Sequence, residues 1–275
     1  MADLGILRNP NKALWEKGDF TRIAQTMRQS GDALVATLDV HPGMKVLDLG
    51  CGDGTTAVPA AERGADVLGI DIADNLVAAG IARAKALGLG NLRFQQGDAS
   101  RLVGVEDESF DLVVSIFGAM FAPNPTEVAR EMVRVTKPGG GIVMGNWIPG
   151  DPTLVAQILK ICARYLPPPE GSISPMLWGS EAVVRERFET AGISPSSIKF
   201  ERASWVFRTS EPPSELFAIF RDFYGPTMNA FEAASRDGLV LELARELNAL
   251  FKAQNRGGER TEIPATYLKV LVTKS

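Results

Sequence analysis

Histidine is nearly missing from this chain: His41 is the only one in 275 residues. It stands just ahead of Pro42-Gly43 and of the apolar run that begins at Val46, near the end of such a strand that faces away from a ligand crevice. A histidine general base is therefore not expected. Cysteine is equally scarce, and Cys51 and Cys162 are too few and too isolated for a disulfide framework or a thiolate metal site. A reducing compartment fits, and Cys51 reads as a small residue packed in a turn rather than a nucleophile. No uninterrupted apolar stretch approaches the ~18 residues of a membrane span, and residues 1–8 lack a basic segment followed by an apolar core. A soluble, cytoplasmic protein is expected. With 29 Lys and Arg against 33 Asp and Glu the net charge is −4, and no basic cluster points to nucleic acid. Metal assistance has no ligand-spacing motif behind it.

What the chain does have is a hydrophobic fraction of 45%, enough to bury one full core, and a repeating strand-then-helix pattern. Residues 20–38 carry Ile23, Met27, Leu34 and Leu38 on helical spacing. Ser30-Gly31-Asp32 interrupts them, which predicts two helical pieces, the first capped by Asp19. Strands are predicted at 46–49, 66–70, 91–95, 110–116 and 142–146, with helices at 56–63 and 74–87 between them. A further helix starts at Pro125, with Asn124 as its cap and Glu127 closing a capping box, and ends at Lys137-Pro138-Gly139-Gly140-Gly141. Beyond residue 150 prolines punctuate a segment with one helix at 153–165, which reads as a lid. A helix at 180–191, strands at 197–207 and 266–273, and a mostly helical stretch at 213–254 complete the chain. The α/β alternation specifies a Rossmann-like, doubly wound, mostly parallel seven-stranded sheet in a single domain. Its parts are a helical cover at 1–40, a ligand-binding core at 41–150, a lid-like segment at 151–180, and a helical insertion at 208–263 before the last strand, expected as a substrate cover.

The most specific stretch is Val46-Leu47-Asp48-Leu49-Gly50-Cys51-Gly52-Asp53-Gly54, a buried strand closing on three alternating glycines. Thr55-Thr56 after the last glycine lacks the lysine of a phosphate-binding P-loop. The Gly-x-Gly-x-Gly spacing also departs from the Gly-x-Gly-x-x-Gly of dinucleotide sites, although Asp71 falls at the distance expected of either. With Gly69-Ile70-Asp71-Ile72, Gly97-Asp98-Ala99, Phe110-Asp111-Leu112-Val113-Val114-Ser115 and Arg134-Val135-Thr136-Lys137-Pro138-Gly139-Gly140 in that order, residues 40–147 resemble the class I S-adenosylmethionine-dependent methyltransferases. Within that class they resemble the broad bacterial group similar to the ubiquinone and menaquinone C-methyltransferases.

That resemblance implies S-adenosyl-L-methionine as cofactor and S-adenosyl-L-homocysteine as product. Gly50, Cys51, Gly52 and Gly54 would admit the cofactor's amino-acid end and ribose, and Asp48 would order the turn or reach the ammonium. Asp71 would take both ribose hydroxyls, and Ile72 would lie on one adenine face. Asp98 would bind the adenine amino group beside Ala99, with Ser115 and Ile116 near the methionine portion. Trp15, Phe20, Phe117, Met120, Phe121, Trp147, Trp178, Phe220 and Tyr224 are candidate walls for a small, apolar or aromatic acceptor reached by direct in-line transfer. Tyr224, Glu16 and Asp19 are candidate bases should the acceptor need one. The acceptor atom stays open among C, N, O and S, as does the choice between monomer and homodimer. A nicotinamide-dependent oxidoreductase, a non-catalytic cofactor-binding protein and other chemistry on the same cofactor are the competing readings.

Overall fold

A computed structural model describes residues 11–275; the first ten residues of the expected helical cover lie outside it. Seventeen helices and strands follow the α/β alternation of the sequence. They run α1 (Asn11–Glu16), α2 (Thr21–Val35), β1 (Lys45–Leu49), α3 (Ala57–Glu62), β2 (Asp66–Asp71), α4 (Asp74–Ala86), β3 (Leu92–Gln96), β4 (Phe110–Ile116) and α5 (Pro125–Val135). The remainder are β5 (Thr136–Trp147), α6 (Leu154–Tyr165), α7 (Glu181–Thr190), β6 (Ile198–Thr209), α8 (Pro213–Phe223), α9 (Gly225–Arg236), α10 (Val240–Gln254) and β7 (Thr261–Thr273). The strands form one sheet of order β3-β2-β1-β4-β5-β7-β6, in which only β7 runs against the others. Among the described residues no helix is long and apolar enough to cross a membrane.

The strand order reverses between β1 and β4, and that switch creates the crevice in which ligands of such sheets bind. Strand alternation divides the core. Val46, Val67, Leu112 and Val143 pack with the alanines of α3, while Leu47, Val113, Ile142 and Met144 pack with Val128, Met132 and Phe188 of α5 and α7.

Five expectations are corrected. Ser30-Gly31-Asp32 does not interrupt α2, which is one helix. A Cβ on Gly31 would lie 2.4 Å from the Thr55 carbonyl oxygen, and the Ser30 hydroxyl donates to Val206 O at 2.9 Å and accepts from Val206 N at 3.0 Å. The two small residues let the helix approach the glycine turn and the edge strand β6. Asp19 does bond the Thr21 N–H, at 3.2 Å, but Phe20 is the residue that immediately precedes the helix. Asn124 makes no capping bond with its side chain, and Glu127 pairs with Arg130 at 2.5 Å instead of closing a capping box. Strand β5 begins at Thr136, before the triple glycine, because Gly139 N–H and Gly140 O are taken up by Lys274 of the carboxyl terminus. Strand β7 extends back through Pro264, which is tolerated because β5 stops pairing at Trp147–Tyr267 and leaves that side of the strand without a partner.

Candidate functional site

At the end of β1 the chain turns on Gly50, Gly52 and Gly54, all at positive φ of 72°, 54° and 89°. Each glycine answers a different demand. A Cβ on Gly50 would lie 2.6 Å from Gly118 Cα, so the backbones leaving β1 and β4 abut at the switch point; a Cβ on Gly54 would lie 2.9 Å from the Phe94 ring. A Cβ on Gly52 would meet nothing within 4 Å, because that position faces the mouth of a cleft. The cleft encloses about 920 Å³ of atom-free space, counted out to its opening.

Its inner wall is formed by Gly50, Cys51, Gly52, Asp71, Ile72, Ala99 and Ile116, all expected at the cofactor, together with Gly97. The Asp71 carboxylate accepts from Gly52 N–H at 2.8 Å and Ala73 N–H at 3.0 Å, so it fixes the turn and still has lone pairs free for a ligand. Burial raises its pKa, opposed by the N–H groups of Ala73, Gly52 and Ile72. Burial, with Asp71 nearby, also pushes the Cys51 thiol well up, so this cysteine is no thiolate nucleophile.

Four residues expected at the cofactor do not line the cleft. Asp48 alternates with Val46 toward α3, where its carboxylate accepts from the Thr56 hydroxyl and the Ala57 N–H. Burial among apolar side chains holds its pKa up at about 7. Ser115 is buried, with its hydroxyl donating to Leu49 O at 2.6 Å and accepting from Ala119 N–H at 3.1 Å. It ties β1 to the segment after β4 rather than meeting the cleft itself. Asp98 turns its carboxylate to Ser100 N–H and hydroxyl, at 2.8 and 2.7 Å, while Gly97 and Ala99 on either side reach the cleft. Gly54 lies behind the turn, against Phe94.

The outer wall is apolar: Trp15, Phe20, Phe117 and Phe121 are joined by Ala24, Met27, Ala122 and Trp205. Phe117 holds the left-handed conformation at φ 60°, an unfavourable place for a bulky residue. It is held there by a parallel stack on Trp147 at 3.6 Å and edge contacts to Trp205 and Tyr267 at 5.1 and 5.3 Å. Trp147 thus supports the wall from behind without facing the cleft. Met120, Phe220 and Tyr224 are buried in the core. Tyr224 packs between Trp15 and Phe220, where burial raises its phenol pKa beyond use as a base. Glu16 accepts from Asp74 N–H at 3.1 Å, and exposed Asp19 bonds Thr21; neither lines the cleft. Trp178 is fully buried beside Phe188, with the Arg187 guanidinium 4.4 Å over its ring. No residue of the expected lid at 151–180, nor of the expected substrate cover at 208–263, lines the cleft; α6 packs instead on α9 and α10.

The sequence reading missed Trp205, Met27, Asp53, Thr55 and Gly118. Met27 was visible on the apolar face of α2, but Trp205 carries no local signal. It reaches the cleft because Ser30 fastens α2 to its neighbour Val206.

A profile described as a methyltransferase domain matches residues 40–164. Demethylmenaquinone methyltransferase of Bacillus cytotoxicus is 37% identical over 141 residues, 50% of this chain and 58% of that protein. The chain is a class I S-adenosylmethionine-dependent methyltransferase. This methyltransferase is also 34% identical to the uncharacterized protein Rv1405c of Mycobacterium tuberculosis over 241 residues, 86% of this chain and 85% of the relative. A Haemonchus contortus phosphoethanolamine N-methyltransferase 2, solved with phosphomonomethylethanolamine and S-adenosylhomocysteine, superposes with a TM-score of 0.60 at 18% identity. That match spans 96% of this chain and 59% of the other, a likeness of fold.

Proposed function

We propose that this methyltransferase moves a methyl group directly to a small acceptor that is apolar or aromatic. The observation that carries the reading is the continuity of a single cleft. Backbone and carboxylate line its inner part at Gly50, Gly52 and Asp71, and rings and methyls line its outer part at Trp15, Phe20, Met27, Phe121 and Trp205. Two unlike surfaces facing one volume suit two ligands held end to end, as an in-line displacement requires. When bound, the sulfonium cofactor supplies a methyl carbon open to attack without an enzyme nucleophile. Asp71, already oriented by two N–H groups, offers its remaining lone pairs to vicinal hydroxyls. Ile72, Gly97 and Ala99 border the slot proposed for the adenine, whose loop is held in shape by Asp98 and Ser100. The outer rings exclude water from the line of transfer. The likeness to demethylmenaquinone methyltransferase spans half of the chain and supports the cofactor half of this proposal, not a quinone acceptor.

The test uses cofactor carrying a chiral methyl group and a panel of apolar thiols, phenols and amines. Transfer with one inversion of configuration is expected. Net retention would require an enzyme-bound intermediate, and transfer only to charged hydrophilic acceptors would overturn the apolar assignment.

A further inference from the structure

The part of the cleft proposed for the acceptor is walled by rings and a thioether, at Trp15, Phe20, Met27, Phe121 and Trp205. Among the described residues, the titratable side chains that line the cleft are Cys51, Asp53 and Asp71, on the glycine turn and at the end of β2. Each is already engaged. Asp71 accepts from Gly52 and Ala73 N–H, Asp53 pairs with Arg28 at 2.9 Å, and burial beside Asp71 holds the Cys51 thiol protonated. Glu16, Asp19, His41 and Tyr224 line no part of the cleft. The acceptor thus meets a soft, apolar wall in which no described side chain stands ready to take its proton.

We propose that the acceptor is an apolar thiol, which reacts as its thiolate and needs no base from this chain. The inference rests on the proposed function above and narrows its acceptor atom to sulfur. At pH 7 about 3% of an ordinary thiol is ionised against about 0.1% of a phenol, from reference pKa values near 8.5 and 10, and a thiolate is strongly nucleophilic. An alkylamine is almost entirely ammonium at that pH. Rings hold such a cation well, but it has no lone pair to attack with until a base removes a proton; alcohols and carbon acids need a base too. In the proposed step the acceptor sulfur bonds the methyl carbon as the sulfonium's carbon–sulfur bond breaks. That bond's electron pair stays on the sulfur of departing S-adenosylhomocysteine, and the thiol proton has already passed to water. Two opposite charges vanish, a change that a water-poor, apolar site favours over bulk water. The rings and the Met27 thioether also suit sulfur, which packs favourably at about 5 Å from aromatic rings.

The test compares benzyl mercaptan, benzyl alcohol and benzylamine on the full chain, with a series of aryl thiols of graded acidity. Transfer to the mercaptan is expected to exceed that to the alcohol and the amine by about a hundredfold or more in kcat/KM, the share a base would have supplied. Across the aryl thiols, kcat/KM is expected to rise by about one decade per pH unit and to level at each thiol's own pKa. Levelling at one pH shared by every thiol would reveal a base on the chain and overturn the inference, as would amine or alcohol turnover equal to that of the mercaptan. Ultraviolet titration of a bound aryl thiol gives a readout apart from turnover. In complex with S-adenosylhomocysteine its pKa is expected above the value free in water, because the wall disfavours the charge; a lowered pKa there also overturns the inference. If none of these apolar acceptors is methylated while hydrophilic ones are, the apolar assignment itself falls and takes the thiol with it.

Discussion

Asp48 gives the sharpest stability test. Its carboxyl is fully buried, with Oδ1 lacking any partner, and burial lifts its pKa from 3.8 to about 7 against the pull of the Thr56 hydroxyl and Ala57 N–H. The folded state therefore holds this proton more tightly than the unfolded chain does. For this group, stability is greatest below about pH 4, falls as the pH climbs, and the loss is complete above about pH 7. At roughly 1.4 kcal/mol per unit, the full cost of ionising Asp48 is on the order of 4 kcal/mol. Roughly 2 to 3 kcal/mol of that appears between about pH 5 and pH 8. Asp48→Asn keeps an oxygen to accept from Thr56 and Ala57 but cannot ionise. Urea unfolding of both proteins at the two pH values cancels every other titrating group. The variant should gain on the native protein by roughly 2 to 3 kcal/mol from the lower pH to the higher. A stability gap that stays constant with pH would refute the argument, because Asp48 would then be ionised in both states throughout.

Three other substitutions probe the cleft. Asp71→Ala removes the acceptor of Gly52 and Ala73 N–H and the proposed ribose contact, so calorimetry should find S-adenosylhomocysteine binding weakened by about tenfold to a hundredfold. Gly118→Ala would place a Cβ 2.3 Å from the Gly50 carbonyl oxygen. It is expected to lower the melting temperature and abolish cofactor binding together, whereas binding retained at native affinity would show that the switch point can open. Phe121→Ala opens the outer wall, and steady-state kinetics should find the acceptor KM raised with cofactor affinity unchanged.

How far the sequence could be read depended on whether each contact is local. Gly50, Gly52, Asp71 and Ala99 lie at or just beyond the ends of strands marked by their own apolar runs, the resemblance of that local pattern to a known family implied cofactor contacts there, and all four line the cleft. Trp147 and Trp178 look alike in sequence, yet one braces the cleft wall through Phe117 and the other fills the core under α7. Only the path of the chain between them decides that. Ser30-Gly31 read as a helix break because small residues favour turns in isolation. Here they are small because Thr55 and Val206 come within contact, a demand made by residues far away in sequence. The segment expected as a lid lines no part of the cleft for a related reason: prolines mark where helices stop, but the surface that α6 covers is set by α9 and α10.

The two carboxylates of the glycine motif show where such reading reaches its limit. Asp48 and Asp53 lie five positions apart in one run of the chain, and both are almost fully buried. Alternation along β1 sends Asp48 with Val46 to the α3 face, where only a hydroxyl and one N–H meet it. Beyond Leu49 alternation no longer applies, because three residues at positive φ rotate the chain, and Asp53 emerges on the cleft with Arg28 beside it. Strand periodicity predicts the first outcome and is silent on the second. The same turn therefore follows one carboxylate sunk in the core, where burial governs its protonation, with another on the cleft wall, where Arg28 pairs with it.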